Sequence, residues 1–184
     1  LIVMRVAAYL PAVPAAGTGL SSHELNQPGT YKDVKDTSAV AMFKAIRNSK
    51  SEFLFSESSK GSPSPHGEKG LGDDVFFLAW TTTPWTLPSN LGLTVGANID
   101  YVLVKTINPY LHNEITIVLA KALLGIYFKP EQENTDFTEY KNDGKNLPYK
   151  IITEFKGKDI EGCEYEQLLP YEANSLKAIL EITP

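Results

Sequence analysis

Apolar and β-branched residues recur along the chain in short runs that are separated by turn-forming residues. Runs of this length that are rich in valine, isoleucine, threonine and aromatic residues are typical of strands. The pattern predicts a first strand near residues 2–9 and further strands at residues 38–46, 75–83, 91–95, 101–107, 114–119 and 149–155. The chain is therefore expected to be mainly β, and the spacing of the runs favours a barrel or a sandwich.

Turn-forming residues stand between the predicted strands. Pro84 and Pro88 bracket one bend, residues 96–100 form another, and the Asn-Asp-Gly sequence at 142–144 forms a third. Proline presets the backbone angle of a turn, and asparagine, aspartate and glycine tolerate the conformations that tight turns require. These positions divide the chain into the strands given above.

Helices and long loops are predicted for much of the remainder. Apolar residues have helical spacing at residues 120–127 and, after a capping serine, at residues 175–182. Two polar stretches, residues 49–74 and 130–146, lack a core pattern and predict loops, the first of them mobile. The expected fold class is thus mainly β with short helices (α+β).

The chain has 184 residues, which is enough for one domain with a sizeable core. We expect residues 1–184 to be a single domain or most of one, with residues 1–30 as a linker and strand that lead into it. No apolar run approaches the roughly 20 residues that a membrane-spanning helix needs. A soluble protein without a membrane partner is therefore expected, and the single cysteine favours a reducing, cytoplasmic setting.

Charge and cysteine content narrow the function classes. A formal net charge of −5 disfavours a general nucleic-acid binder, although it allows the protein to grip one end of an RNA. Cys163 is the only cysteine, so no internal disulfide is possible. The three histidines are His23, His66 and His112. They are not spaced with Cys163 as zinc ligands, so no metal is expected. We assign them no catalytic role and expect them at the surface.

Three consecutive threonines occupy the end of the strand predicted at residues 75–83. Side chains alternate along a strand, so Thr81 and Thr83 should face one way and Thr82 the other. The following bend can bring Thr86 and Asn90 back towards them. Such a rim of hydroxyls and one amide has no fixed charge and suits a neutral polar ligand such as a ribose or an ester. Threonines also fill strands for packing alone, which leaves a structural role open.

The sequence Ala-Trp-Thr-Thr-Thr-Pro-Trp-Thr-Leu-Pro-Ser-Asn-Leu-Gly-Leu-Thr-Val at residues 79–95 resembles the threonine-rich signature of the isoleucyl-tRNA synthetase editing domain. The related valyl and leucyl enzymes typically have Arg-Pro in place of Thr83-Pro84-Trp85. Other segments that fit the same family are residues 17–24, 31–36, 155–162 and 169–171. The resemblance implies a β-barrel editing domain of the valyl, leucyl and isoleucyl type, inserted as a connective peptide.

The resemblance also implies a function. The domain would hydrolyse valine that is mischarged on the 3′ end of tRNA(Ile), as part of a class I enzyme that ligates isoleucine to its tRNA. ATP would serve the synthetic domain of that enzyme, and the editing domain would need no cofactor. Its partners would be the tRNA and the rest of the synthetase chain. The residues implied are Thr81, Thr82 and Thr83 for catalysis, and Trp80, Thr86 and Asn90 for substrate binding.

Two alternatives remain at this point. The family pattern continues with a Gly-Thr-Gly stretch, a histidine and an aspartate that holds the substrate's amino group, and these would follow Pro184. A segment without them could be a non-catalytic insert that binds the tRNA end. It could also be the editing domain of a valyl-tRNA synthetase, which clears threonine, although Thr83-Pro84-Trp85 disfavours that assignment.

Overall fold

The strands of the protein form where the apolar runs predict them. The computed structural model describes residues 3–4, 12–13, 18–19, 23, 27–28, 38–59, 74–90, 92–140, 146–168 and 178–183. Within these residues the strands are β1 (Val3–Met4), β2 (Ala12–Val13), β3 (Thr18–Gly19), β4 (Ala39–Lys44), β5 (Val75–Thr81), β6 (Gly92–Gly96), β7 (Asp100–Ile107), β8 (Glu114–Ala120), β9 (Tyr149–Lys156), β10 (Glu164–Tyr165) and β11 (Ala178–Thr183).

Helices are short in the described part of the chain. The α-helices are α1 (Glu52–Ser59) and α2 (Leu124–Tyr127). The 3-10 segments are Pro84–Ser89, Lys121–Leu123, Pro130–Gln132, Phe137–Glu139 and Gly157–Ile160, of which the first makes two turns. No helix among these residues is long and apolar enough to cross a membrane.

A five-stranded sheet with the order β4-β5-β8-β7-β9 organises the molecule. β4 is antiparallel to β5, β5 is parallel to β8, and β7 is antiparallel to both β8 and β9. A second sheet has the order β1-β6-β11-β10, and β2 pairs with β3. The two larger sheets meet where Ala45 forms a β-bridge with Tyr165, and the Glu166 amide donates to the Lys44 carbonyl at 2.8 Å.

Both faces of β7 and β8 are buried, which is why these two strands are nearly continuous apolar runs. One face packs on α1 and the second sheet; large side chains of this core are Phe43, Leu54, Phe77, Leu93, Leu103, Ile160 and Tyr165. The other face packs on the segment around α2, with Val102, Val104, Ile115, Ile117, Leu119, Phe128 and Tyr149. Odd and even positions of each strand therefore lie in different cores.

The strands predicted between residues 38 and 155 are confirmed, with ends that differ by a few residues. Val3–Met4 lies inside the strand predicted at residues 2–9. The 3-10 turn Lys121–Leu123 and α2 confirm helical structure at residues 120–127. The fold class, mainly β with short helices, is confirmed as well, whereas closure into a barrel stays a prediction.

The helix predicted at residues 175–182 is wrong. Residues 178–183 form β11, which runs parallel to β6 with Ile179 opposite Gly92 and Thr183 opposite Gly96. Leucine and isoleucine at this spacing fit a helix or a strand, and local pattern cannot decide between them. Pairing with β6 gives the backbone a complete ladder, whereas a helix of about eight residues is marginal without strong packing.

Residues 49–74 were predicted as a loop, but α1 occupies part of them. The apolar residues of α1 stand next to serines and glutamates, so the sequence shows no core pattern there. Leu54 and Phe55 of this helix are nevertheless buried in the core. Asn48 supports the turn before the helix, because its side-chain oxygen accepts the Lys50 and Ser51 amides at 2.9 and 3.0 Å. The rest of that loop prediction, at residues 60–73, and the turn at 142–144 lie outside the described residues.

Candidate functional site

The threonine segment begins where β5 ends. Thr81 is buried, and its hydroxyl accepts the Thr83 amide at 3.0 Å. The hydroxyls of Thr81 and Thr83 are 3.3 Å apart, so these two side chains lie together as predicted, although the strand that was predicted to continue to Thr83 ends at Thr81 and a turn makes the contact. Thr82 is exposed, and its hydroxyl makes no hydrogen bond within the described residues. The segment therefore presents a linked pair of hydroxyls beside one free hydroxyl.

The 3-10 turn Pro84–Ser89 holds the next part of the segment against the threonines. Proline suits the start of such a turn because that position needs no amide hydrogen. The Thr86 hydroxyl donates to the Thr83 carbonyl at 2.7 Å, and the Thr86 amide donates to the same oxygen at 3.1 Å. The predicted return of Thr86 to the threonines is thus confirmed.

Asn90 turns into the core. It is 3% exposed, its side-chain oxygen accepts the Tyr165 hydroxyl at 2.8 Å, and its side-chain nitrogen donates to the Gly92 carbonyl at 3.1 Å. Within the described residues no hydrogen bond joins Asn90 to the threonines, so its amide does not contribute to their rim. Asn90 instead anchors the chain that follows the turn.

The two tryptophans of the segment are exposed. Trp80 is 46% exposed and Trp85 is 65% exposed. Trp80 lies opposite Val40 in the β4–β5 register, and strand alternation puts it on the other face of the sheet from Thr81. Trp80 is therefore not an ordinary core residue, and a role in the pocket wall stays a prediction.

Neutral hydrogen-bonding groups dominate the segment, because residues 80–90 contain no ionisable side chain. Elsewhere in the described residues, no group of three or more histidine, cysteine, aspartate or glutamate side chains could hold a metal ion. His23 and His112 are exposed, as expected, and His66 lies outside the described residues. Cys163 is fully buried, and burial raises the pKa of its thiol to about 11, which disfavours a role as a nucleophile.

This geometry can hold a neutral substrate by hydrogen bonds. Comparison with sequences of known proteins shows which family the chain belongs to. A scan against protein-family models gives no match. A curated isoleucine–tRNA ligase from Cytophaga hutchinsonii is 54% identical over 161 residues, which are 88% of this chain and 13% of the relative. A second from Bacteroides fragilis is 52% identical, again over 88% of this chain and 13% of the relative. The chain belongs to the isoleucyl-tRNA synthetase family.

The part of an isoleucyl-tRNA synthetase that the chain represents has the fold of a solved structure, GlLeuRS-CP1. The crystal structure of GlLeuRS-CP1 matches with a TM-score of 0.53 and 16% sequence identity, over 80% of this chain and 47% of that one. At such low identity the match shows a shared fold alone. The chain spans about 13% of the length of the curated relatives.

Tyr165 is the supporting residue of this synthetase segment that the sequence analysis missed. Its hydroxyl reaches Asn90 across 75 positions of sequence, and its ring packs edge-on against Phe43 at 5.1 Å between centroids. No local motif marks such a contact, since Tyr165 stands in a two-residue strand. The Gln167 side-chain nitrogen adds a longer contact of 3.5 Å to the Asn90 carbonyl.

Proposed function

We propose that this segment hydrolyses the ester between valine and tRNA(Ile), as the proofreading domain of an ATP-dependent isoleucine–tRNA ligase in the cytoplasm. The observation that carries the proposal is the threonine cluster at the end of β5. The hydroxyls of Thr81 and Thr83 lie 3.3 Å apart, and Thr82 and Thr83 are exposed to an incoming ligand. The ligand class is an aminoacylated ribose, which offers hydroxyl and ester oxygens.

The chemistry required fits an uncharged site. An aminoacyl ester is already activated, so the protein can act by orienting the ester and the attacking water instead of forming a covalent intermediate. The exposed Thr82 and Thr83 hydroxyls can donate to the ribose or carbonyl oxygen and accept from the attacking water. Thr86 fixes the Thr83 carbonyl and thereby the backbone of the cluster. No cofactor is needed for this step, and ATP serves only the ligation reaction elsewhere in the parent enzyme.

The need for such a site follows from the small size difference between isoleucine and valine. Valine lacks one methylene of isoleucine, and a hydrophobic pocket extracts only about 1–3 kcal/mol from that difference, a limit for which isoleucyl-tRNA synthetases are the standard example. A second site that admits valine and excludes isoleucine by size corrects the resulting errors. The partners of the segment are therefore the 3′ end of tRNA(Ile) and the remainder of the synthetase.

The test uses the full parent synthetase and three charged tRNAs. We expect rapid deacylation of valyl-tRNA(Ile), with isoleucyl-tRNA(Ile) and threonyl-tRNA(Val) left largely intact. Preferential cleavage of threonyl-tRNA(Val) would assign the segment to a valyl type of editing domain. Binding of valyl-tRNA(Ile) without hydrolysis would make the segment a non-catalytic insert that positions the tRNA end.

A further inference from the structure

An apolar groove crosses the five-stranded sheet on the face opposite Thr81. Its volume is about 250 Å³, and its lining includes Met42 of β4, Leu78 of β5 and Ile117 of β8. Leu78 and Thr81 are three positions apart on one strand, so their side chains lie on opposite faces. The groove is therefore separate from the threonine cluster.

Exposed apolar side chains enlarge the surface around the groove. Val40 and Tyr110 line it and are 43% and 88% exposed, and Leu111, which follows Tyr110, is 73% exposed. Single exposed apolar residues are common, but a contiguous apolar surface on a protein marks a site of interaction. Together with the groove, these three residues form one apolar surface.

The β7–β8 turn holds its part of this apolar surface in a fixed shape. The Asn108 side-chain oxygen accepts the Tyr110 and Leu111 amides at 2.9 and 3.1 Å. The Asn108 carbonyl accepts the His112 amide at 2.8 Å, and its amide donates to the Asn113 carbonyl at 2.9 Å. A partner that packs on Tyr110 and Leu111 therefore loses little free energy in ordering the turn.

Tyr127 adds a polar group to the apolar lining of the groove. Its ring is half-buried, and burial raises the pKa of its phenol. Within the described residues its hydroxyl makes no hydrogen bond. Tyrosine hydroxyls in apolar surroundings usually find an acceptor, and a main-chain carbonyl of a docked segment would supply one.

Charge and chain length limit what can occupy this surface. No residue that lines the groove is charged at neutral pH, whereas contacts to RNA phosphates need lysine or arginine. The chain spans about 13% of the curated relatives, so a parent enzyme of their length has several times more polypeptide outside these residues. A segment of the same chain is present at a high effective concentration, which favours it over a second copy.

We propose that the apolar surface docks an apolar segment of the same synthetase chain that lies outside residues 1–184. Tyr110 and Leu111 pack against that segment, and the Tyr127 hydroxyl donates to one of its main-chain carbonyls. Docking on this face leaves the Thr81–Thr83 hydroxyl pair uncovered. The inference rests on family membership and on this surface, and it does not depend on the hydrolytic function proposed above.

The first experiment introduces the photocrosslinking residue p-benzoylphenylalanine in place of Tyr110 in the full parent synthetase. We expect irradiation to join this position to a peptide of the same chain outside residues 1–184, identified by mass spectrometry of the digested enzyme. The matched control carries the same residue in place of Ile99, which is 40% exposed. Ile99 lies just before β7, roughly 25 Å from Tyr110, and should not join to that peptide.

Three substitutions then test what holds the segment in place. Val40→Asp puts an uncompensated charge into the docked surface and should lower the yield of the cross-link at least about fivefold. Ile99→Asp puts the same charge at a residue of similar exposure outside the surface and should leave the yield unchanged. Tyr127→Phe keeps the shape of the groove without the hydroxyl, so we expect a loss of about twofold to fivefold.

Cross-links that stay within residues 1–184, that join two copies of the enzyme or that reach only bound tRNA would overturn the proposal. An unchanged yield in both Val40→Asp and Tyr127→Phe would do the same, and the conservative second substitution guards against an effect of misfolding in the first. Deacylation of valyl-tRNA(Ile) is measured separately on the unmodified enzyme, so a failure of the proposed function is distinguishable from a failure of docking.

Discussion

The Tyr165 hydroxyl donates a 2.8 Å hydrogen bond to the side-chain oxygen of Asn90, and both residues are buried. This bond ties β10 to the chain that follows the threonine turn. We expect Tyr165→Phe to lower the free energy of unfolding by about 1–3 kcal/mol, because it leaves the buried Asn90 oxygen without a donor. Urea denaturation measures the change.

Tyr110→Phe provides the comparison for that prediction. Tyr110 is exposed, so loss of its hydroxyl exposes no unsatisfied group and should change stability by less than about 0.5 kcal/mol. Equal stability of the Tyr165→Phe variant and the parent protein would show that the Asn90 oxygen finds another donor. The anchoring role of the bond would then be rejected.

A second prediction concerns the hydroxyl of Thr81. This hydroxyl accepts the Thr83 amide and lies 3.3 Å from the Thr83 hydroxyl. Thr81→Val keeps the shape and removes both contacts, so we expect a loss of about 1 kcal/mol in stability and at least about tenfold slower deacylation of valyl-tRNA(Ile). Thr81→Ser retains the hydroxyl and should recover most of the rate. Equal rates for the two variants would exclude a role for the hydroxyl.

The Thr81–Thr83 pair was predictable because it depends only on neighbours in sequence, although β5 ends at Thr81 and a local turn, in which the Thr81 hydroxyl accepts the Thr83 amide, makes the contact instead of strand alternation. The strands β7 and β8 were likewise predictable, since both of their faces are buried and the apolar run is continuous. Contacts distant in sequence were not predictable. The Asn90–Tyr165 bond joins residues 75 positions apart, and β11 is a strand because β6 offers an edge to pair with.

Thr82 is the hydroxyl most open to substrate. It is exposed and makes no hydrogen bond within the described residues, so a larger side chain there should not disturb the fold. We expect Thr82→Tyr to fill the space of the aminoacyl group and to slow deacylation of valyl-tRNA(Ile) at least about tenfold. Ser49→Tyr, at an exposed turn, should have no effect. Unchanged deacylation by the Thr82 variant would remove Thr82 from the site.

Substitution by alanine is expected to have opposite effects on stability at two glycines, Gly157 and Gly125. A β-carbon on Gly157 would overlap the Gly96 carbonyl oxygen, whereas one on Gly125 would meet nothing within 4 Å. Gly157→Ala should cost more than about 2 kcal/mol, since the backbone of the β6–β7 turn must move. Gly125→Ala, inside α2, should be neutral or stabilising by up to about 1 kcal/mol. Thermal unfolding of both variants tests the close approach; similar melting temperatures would contradict it.

The last prediction concerns pH. Burial raises the pKa of the Cys163 thiol from 9.0 to about 11, so the folded state keeps its proton at a pH where the unfolded state has lost it. The unfolded state then binds fewer protons, and stability falls as pH rises from 9 to 11. We expect a loss on the order of 2 kcal/mol across this range, which is absent in Cys163→Ala. Urea denaturation of the two proteins at pH 8 and pH 10.5 isolates the effect, because all other titrating groups are common to both. Parallel stability curves would show that the folded state accommodates the thiolate.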